Sequence, residues 1–131
     1  MFGVFDGLHG GHVSFLQQAR KYGSELFAVV ARDAAVRELK KKEPRFNEKE
    51  RVQGLRVSQL ADRVVLGDRE RGAYRVVGRY KPTLICLGYD QNALADDLRG
   101  RVRKGDLPAV RLVRLRPYRT HKFKSSLLYA R

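Results

Sequence analysis

The segment Gly3-Val4-Phe5-Asp6-Gly7-Leu8-His9-Gly10-Gly11-His12 decides how the fold of this chain is interpreted. Its apolar beginning runs into glycines and an aspartate, and residues 13–22 then place apolar side chains at helical spacing before Gly23. This order predicts a strand, a glycine-rich turn and a helix. The first turn of a helix presents unpaired N–H groups and a partial positive charge, so the turn is suited to an anion such as phosphate.

Two histidines flank a pair of glycines inside this turn. Residues three apart lie on one face of a helix, so His9 and His12 are predicted to reach the same phosphate group. Gly10 and Gly11 carry no Cβ, which lets a ligand approach the backbone closely. The alternative is a Rossmann-like turn in which the two histidines are incidental.

Length and composition restrict the class of protein. We expect the 131 residues to form one domain, 1–131. No apolar run approaches the roughly 20 residues that span a bilayer, and no basic and apolar leader is present, so a cytoplasmic chain is expected. The single cysteine, Cys86, lies in an apolar run and is predicted to be a buried strand residue without a disulfide partner in the chain.

The net charge of +14 favours anionic partners such as nucleotides, phosphorylated metabolites or RNA. Lysine and arginine are spread along the chain, so charge alone selects no partner. Aromatic residues show no pattern typical of single-strand binding, and no recognition helix is evident. Nucleic acid is therefore not the expected partner, although a non-catalytic nucleotide-binding or RNA-binding module stays open as an alternative.

The rest of the chain alternates apolar strands with helices, which is typical of a parallel sheet with right-handed crossovers. Asn47, followed by Glu50, predicts a capping box at a helix start. We expect an α/β, Rossmann-like three-layer fold with a five-stranded parallel sheet in the order 3-2-1-4-5, whose ligands bind beyond the carboxyl ends of the strands. Beyond the N-terminal unit, strands are predicted at 25–31, 63–66, 83–87 and 109–115, and helices at 34–42, 48–60, 72–80, 93–104 and from 125 onward.

The residues G-V-F-D at 3–6 and H-G-G-H at 9–12 resemble the G-T-F-D and H-x-G-H signature of the cytidylyltransferase-like nucleotidyltransferases. Val4 departs from the usual threonine or serine and removes one hydroxyl contact. The resemblance implies that Val4, Phe5 and the 9–12 turn bind a nucleotide and that His9 and His12 act in catalysis. Related chains normally carry apolar residues before this point, so we expect that the first strand lacks its beginning.

Two later elements add to the resemblance. It implies that a lysine from the segment after the second strand reaches the reacting phosphates. It does not choose among the lysines at 40–42, of which we take Lys41 as the candidate. Glu48 and Arg51 match an E-x-x-R element of related chains, and an intrahelical ion pair explains them equally well.

The phrase L-G-Y-D-Q at 87–91 is similar to one in the archaeal FMN adenylyltransferases, also called archaeal FAD synthases. Asp90 is suited to accept hydrogen bonds from ribose hydroxyls or the base, or to bind a metal through water. The segment that starts with Arg119 and Thr120 and ends with Ser125 and Ser126 is similar to the R-T-x-G-I-S-T-T element. Hydroxyls at a helix start would form a second phosphate clamp, and a basic tail capping a helix is the alternative.

The resemblance implies transfer of a nucleoside monophosphate from an NTP to a phosphorylated acceptor, with release of pyrophosphate. The preferred hypothesis is adenylyl transfer from ATP to FMN, giving FAD. The alternative hypothesis is that the chain is a glycerol-3-phosphate cytidylyltransferase. Mg²⁺ is expected to bind mainly through the nucleotide phosphates, and a homodimer stays open. The candidate catalytic residues are His9, His12, Lys41 and Arg119, and the candidate nucleotide-binding residues are Val4, Phe5, His9, Gly10, Gly11, His12, Asp90, Arg119, Thr120, Ser125 and Ser126.

Overall fold

The computed structural model describes residues 1–70 and 73–117. Within them, short parallel strands alternate with helices, and no helix is long and apolar enough to cross a membrane. The predicted helix from residue 125, and the start of the one predicted at 72, lie outside the described residues. The elements are β1 (Phe2–Gly3), α1 (Gly10–Arg20), β2 (Phe27–Val30), α2 (Asp33–Lys40), α3 (Glu48–Ser58), β3 (Arg63–Leu66), α4 (Arg75–Tyr80), β4 (Leu84–Leu87), α5 (Asn92–Lys104) and β5 (Arg111–Arg114).

Local sequence signals account for the ends of several elements. The predicted capping box is confirmed, because Asn47 Oδ1 accepts from the Glu50 N–H at 2.8 Å and Glu50 Oε1 accepts from the Asn47 N–H at 2.9 Å. The helix α1 begins at Gly10, three residues before the apolar spacing from which it was predicted. The reason is that His9 caps this helix with its own side chain.

The strands form two parallel sheets, one in the order β1-β2-β3 and one in the order β4-β5. The described residues therefore show two sheets of three and two strands and no single five-stranded sheet, and each sheet matches a part of the predicted order. The cause is the shortness of β1. Only Phe2 and Gly3 pair with β2, and Phe5 has already left the extended conformation with a φ of 54°. On the side of β1 that faces β4, the Phe2 carbonyl accepts a hydrogen bond from the Gln91 side chain at 3.1 Å.

Apolar side chains pack on both faces of the sheets. Cys86, which is buried as predicted, belongs to a core cluster on the face covered by α1 and α3. Its neighbours Ile85 and Leu87 point to the opposite face, where Leu98 of α5 is fully buried. This alternation along β4 produces a helix–sheet–helix arrangement, so the predicted α/β class with parallel strands and helices on both faces is confirmed.

Candidate active site

A cavity of about 620 Å³ lies where β1, α1 and β4 meet. It opens at the carboxyl ends of β1 and β4, the end at which ligands bind in parallel α/β sheets. The structure brings together here the predicted N-terminal turn, one lysine and the turn after β4. The lining residues are Met1, Phe2, Gly3, Val4, Phe5, His9, Gly10, Gly11, His12, Phe15, Lys40, Gly88, Tyr89, Asp90 and Gln91.

Phe5 reverses the chain between β1 and the histidine turn. Its left-handed φ of 54° is uncommon for a bulky residue, and its side chain is only 2% exposed. The ring folds back over Gly3, where an added Cβ would lie 2.7 Å from the ring. The ring also contacts His12, with the ring centroids 5.4 Å apart. The Phe5 ring therefore packs between Gly3 and the His12 ring. A side chain at position 3 would clash with the Phe5 ring, so glycine is required there.

Asp6 connects the N-terminal turn to the segment after α2. Its carboxylate accepts hydrogen bonds from the Arg45 N–H at 2.8 Å and from the Phe46 N–H at 2.9 Å. Desolvation acts to raise the pKa of Asp6, but these backbone hydrogen bonds and the charges of Arg51 and Arg45 outweigh it and lower the pKa. Asp6 is therefore held as a carboxylate that fixes the loop. The G-V-F-D motif does not indicate that Asp6 binds Arg45 and Phe46, which lie 39 and 40 residues away in sequence.

His9 caps α1 with its side chain, and this hydrogen bond determines which tautomer the neutral ring adopts. Its Nδ1 accepts from the Gly11 N–H at 3.0 Å, so the proton of the neutral ring sits on Nε2. Desolvation lowers the pKa of His9 below its ordinary value. The structure thus presents a neutral imidazole at the helix N-terminus, with a donor left for a ligand.

His12 is stacked on His9, with the ring centroids 3.8 Å apart and an angle of 28° between the planes. Desolvation is the main cause that lowers the pKa of His12 to about 4, and the charges of His9 and Lys40 add to it. The Gly7 backbone and the Asp6 carboxylate oppose the shift without offsetting it. Nδ1 of His12 is buried and makes no hydrogen bond of standard geometry with the described residues. The structure therefore holds His12 as a neutral ring beside His9.

Of the three lysines at the end of α2, Lys40 lines the histidine cavity. Lys41 follows as the C-cap in a left-handed conformation with a φ of 60°, and its N–H donates to the Arg37 carbonyl. The structure therefore brings Lys40 to the histidines, while a contact of Lys41 with phosphate stays a prediction. The run of three identical residues could not indicate which one faces the site, because that depends on where α2 ends.

The turn after β4 is fixed by side chains on both sides. Gln91 accepts from the Gly88 N–H at 2.7 Å and donates to the Phe2 carbonyl of β1. Arg114 of β5 donates to the Tyr89 carbonyl at 3.3 Å. A Cβ at Gly88 would lie 3.2 Å from Oδ1 of Asp90, so glycine allows this turn to be tight. Asp90 therefore lines the cavity from a tight turn, and its contact with ribose, base or metal stays a prediction.

Arg51 of α3 is the buried charge beneath the site, with a relative exposure of 2%. Its guanidinium donates to the carbonyls of Phe46 at 2.9 Å, Val4 at 2.9 Å and Ala31 at 2.7 Å. It also pairs with the carboxylate of Asp33 at 2.7 Å. One side chain therefore holds together the ends of β1 and β2 and the start of α2.

The intrahelical ion pair considered for Glu48 and Arg51 is not what the structure shows. Glu48 accepts from the Asp33 N–H at 2.8 Å and lies 3.6 Å from the guanidinium of Arg32. Sequence reasoning missed these partners, although helical phase offered a signal. Arg51 stands four residues before the fully buried Leu55, on the face of α3 that points to the core.

A second cavity, of about 770 Å³, shares the wall formed by residues 2–4 and 90–91 with the histidine cavity. Its lining is mainly apolar, and carboxylates such as Asp68 and Asp97 lie at its edge. Tyr74 stands at one side, where its hydroxyl donates to Asp97 Oδ2 at 2.6 Å. No sequence pattern predicts this cavity, because its apolar lining comes from scattered residues, namely Val4, Val29, Ala31, Ala35, Leu39, Val76 and Leu94.

The predicted second phosphate clamp, formed by Arg119, Thr120, Ser125 and Ser126, lies outside the described residues. The preceding segment is fixed beside α1. Gln18 accepts from the Arg116 N–H at 2.9 Å and donates to the Arg116 carbonyl at 3.0 Å. The chain is therefore anchored on the helix that carries the histidines.

The family model for cytidylyltransferase-like proteins matches residues 1–126 of this chain. The chain belongs to the cytidylyltransferase-like family. The family resemblance inferred from the histidine motif is thereby confirmed. In the structure, the H-x-G-H turn of this family member occupies the N-terminus of α1 and faces a cavity, as an anion-binding helix start would.

Similar proteins include two archaeal enzymes named FAD synthase. That of Aciduliprofundum boonei is 44% identical over 116 residues, covering 88% of this chain and 76% of that protein. That of Methanosarcina barkeri is 39% identical over 107 residues, covering 82% and 75%. Among solved structures, the lipopolysaccharide core biosynthesis protein from Thermoplasma volcanium has a TM-score of 0.81 and 36% identity, covering 90% of this chain and 94% of that one.

We expect His12 to titrate near pH 4 in the free protein, because burial disfavours its charged form. The unfolded chain binds this proton more tightly, so His12 lowers the free energy of unfolding as the pH falls from 6.5 to about 4. Imidazole proton shifts in NMR spectra recorded between pH 3.5 and 8 measure the midpoint, and a His12→Asn variant assigns the signal. A His12 midpoint at or above 6.5 would contradict the geometry of the stacked pair.

We expect Arg51→Met to lower the free energy of unfolding by about 3–5 kcal/mol, because it leaves the Asp33 carboxylate without its buried partner. The matched control is Arg56→Met, on the exposed side of the same helix, where one hydrogen bond to the Val64 carbonyl is lost. That control should cost about 1 kcal/mol or less. Urea unfolding followed by circular dichroism measures both, and equal losses would show that the Arg51 network is not a stabilising centre.

Proposed function

We propose that this chain transfers the adenylyl group of ATP to FMN, giving FAD and pyrophosphate. The observation that carries the proposal is the pair of adjoining cavities, one lined by the stacked histidines and Lys40 and the other more strongly apolar. A nucleotide bound in the first and a flavin bound in the second would meet at their shared wall. The matched proteins named FAD synthase support a flavin as the acceptor.

In this reaction the FMN phosphate oxygen attacks the α-phosphorus of ATP in line. A new phosphorus–oxygen bond forms, the bond between the α-phosphorus and the bridging oxygen breaks, and pyrophosphate leaves. The attacking phosphate is ionised near neutral pH, so the reaction needs no general base. Catalysis then rests on positioning and on stabilising the charge of the transferring phosphoryl group.

The neutral histidine pair suits this task. His9 has its proton on Nε2, from which it donates to a phosphate oxygen, and His12 completes the same face. Lys40 and the N-terminal N–H groups of α1 stabilise the leaving phosphates. From the family resemblance we further assign Lys41 and Arg119 to the transition state, and Thr120, Ser125 and Ser126 to a second phosphate clamp. Val4 and Phe5 line the cavity, and Asp90 accepts from the ribose.

The residues present fit a magnesium ion carried by the nucleotide. The described residues contain no cluster of three side chains able to hold a metal, but Asp90 lines the cavity. Mg²⁺ is commonly bound through one or two carboxylates together with substrate phosphates. Mg²⁺ would therefore be held mainly through the nucleotide phosphates, and Asp90 keeps its role toward the ribose. When bound, Mg²⁺ neutralises charge on the phosphate oxygens.

The apolar cavity is suited to the flavin ring system, which is flat and largely apolar with polar edges. Its volume lies within the range of small-molecule sites. Leu39 is 54% exposed at its edge, and Ala35 on the same helix leaves room beside it. Burying such a leucine against a ring removes apolar surface from water. Glycerol 3-phosphate, the acceptor in the alternative cytidylyltransferase reading, has no apolar ring to fill this space.

We also propose that the two sheets are halves of one sheet in the order 3-2-1-4-5, within a single nucleotidyltransferase domain, 1–131. The Gln91 side chain supports this, because it links the Gly88 N–H after β4 to the Phe2 carbonyl of β1. A homodimer and a cytoplasmic location stay predictions.

The reaction is tested by incubating the protein with FMN, Mg²⁺ and either ATP or CTP, and separating the flavins by chromatography. We expect FAD with ATP, no flavin product with CTP, and equal amounts of pyrophosphate and FAD. His12→Ala should abolish pyrophosphate release while its circular dichroism spectrum stays unchanged, because the imidazole is half-buried at the surface of the site. Absence of any flavin product, or full activity of a folded His12→Ala protein, would overturn the proposal.

The place of the flavin is tested with Ala35→Phe, which fills the apolar cavity from α2. We expect the KM for FMN to rise about tenfold or more, with the KM for ATP unchanged. Ala34→Phe is the matched control, because it adds the same ring at an exposed neighbouring position outside this cavity. An Ala35→Phe protein with an unchanged KM for FMN would show that the flavin binds elsewhere.

A further inference from the structure

We propose that Tyr89, with Phe15, forms the aromatic surface on which the nucleobase stacks in the histidine cavity. Six large apolar side chains of the described residues are exposed, and Tyr89 is the one that lines this cavity. Its side chain is 50% exposed. The inference rests on the proposed function, because it takes the nucleotide phosphates to bind at the histidines.

The position of the aromatic pair fits a nucleotide anchored at the start of α1. Phe15 lies three residues after His12 and so on the same helical face. From Gly11 to Phe15 the helix rises roughly 6 Å, at about 1.5 Å per residue. The Phe15 and Tyr89 ring centroids are 6.1 Å apart, with 52° between the planes. A ribose spans the space between phosphates and base, so the base would reach the open part of Tyr89.

Hydrogen bonds within the protein fix the turn that carries Tyr89. Its carbonyl accepts from Arg114, which also donates to Asn92 Oδ1 at 2.6 Å. Gln91 closes the same turn through the Gly88 N–H. An exposed ring on a fixed turn loses little conformational entropy when a base stacks on it. This preorganisation distinguishes Tyr89 from an aromatic residue at the tip of an unrestrained loop.

Stacking of this kind tolerates different bases, because each base presents a π-face. A purine has the larger face and covers more of the ring, so Tyr89 would favour ATP over CTP through contact area rather than through hydrogen bonds. This makes Tyr89 a residue that contributes affinity and a purine preference, while the phosphate groups bind elsewhere in the cavity.

The test measures binding by calorimetry, with ATP in the absence of FMN and with inorganic tripolyphosphate as a probe that lacks the base. We expect Tyr89→Ala to weaken ATP binding on the order of tenfold, the range found when a stacking aromatic is replaced by alanine. Tyr89→Phe should retain the affinity, since stacking does not need the hydroxyl. Tripolyphosphate binding should be equal in all three proteins. Tyr22→Ala removes a comparably exposed ring outside this cavity and serves as the matched control.

An unchanged affinity of Tyr89→Ala for ATP would overturn the inference. Equal losses for ATP and tripolyphosphate would also overturn it, because they would indicate a disturbed turn rather than a lost stack. A rise in the KM for FMN with unchanged ATP binding would assign the ring to the acceptor instead. If the unaltered protein makes no FAD but Tyr89→Ala still loses ATP affinity alone, the base-stacking role holds and the proposed FMN adenylyl transfer fails.

Discussion

The buried guanidinium of Arg51 is the interaction on which the geometry of the site depends. A buried charge is tolerated only when its hydrogen bonds are satisfied, and Arg51 meets that condition with three carbonyls and the Asp33 carboxylate. Two of these carbonyls, from Val4 and Ala31, directly follow the ends of the neighbouring strands β1 and β2. The histidine turn and the helix that carries Lys40 both leave from those ends, so their relative position follows from one side chain of α3.

The second constraint is the boundary between β1 and β4, which we call the seam and which is bridged by Gln91. The candidate active site opens there. Parallel α/β sheets bind ligands where the strand order reverses, because the loops on either side diverge and leave a crevice. Here the crevice is spanned by Gln91, whose amide group links Gly88 after β4 to Phe2 of β1. The same turn places Asp90 between the two cavities. In the proposed reaction, the two substrates would bind on either side of this seam and would react there.

Local patterns were enough to predict most elements, the capping box at Asn47 and the histidine turn, because these depend on neighbours within one or two helical turns. The residues β3 occupies, Arg63–Leu66, matched the prediction. What could not be predicted depends on contacts distant in sequence. These include the partners of Arg51, the apolar cavity and the choice of Lys40 over its neighbours as the lysine that lines the site. The single sheet was predicted from the alternation of strands and helices along the chain. That alternation does not indicate that only two residues of β1 pair with β2.

The stacked histidines connect protonation to occupancy of the site. Two imidazolium rings 3.8 Å apart would repel each other, and desolvation adds to that cost, so both rings are neutral near pH 7 in the free protein. A triphosphate beside them would raise the pKa values of both, because an opposite charge favours the protonated form. The charge available to stabilise the transferring phosphoryl group would then grow as the nucleotide binds. The packing around His9 and His12 thus accounts for their lowered pKa values, and the charge of a bound nucleotide would act against that packing.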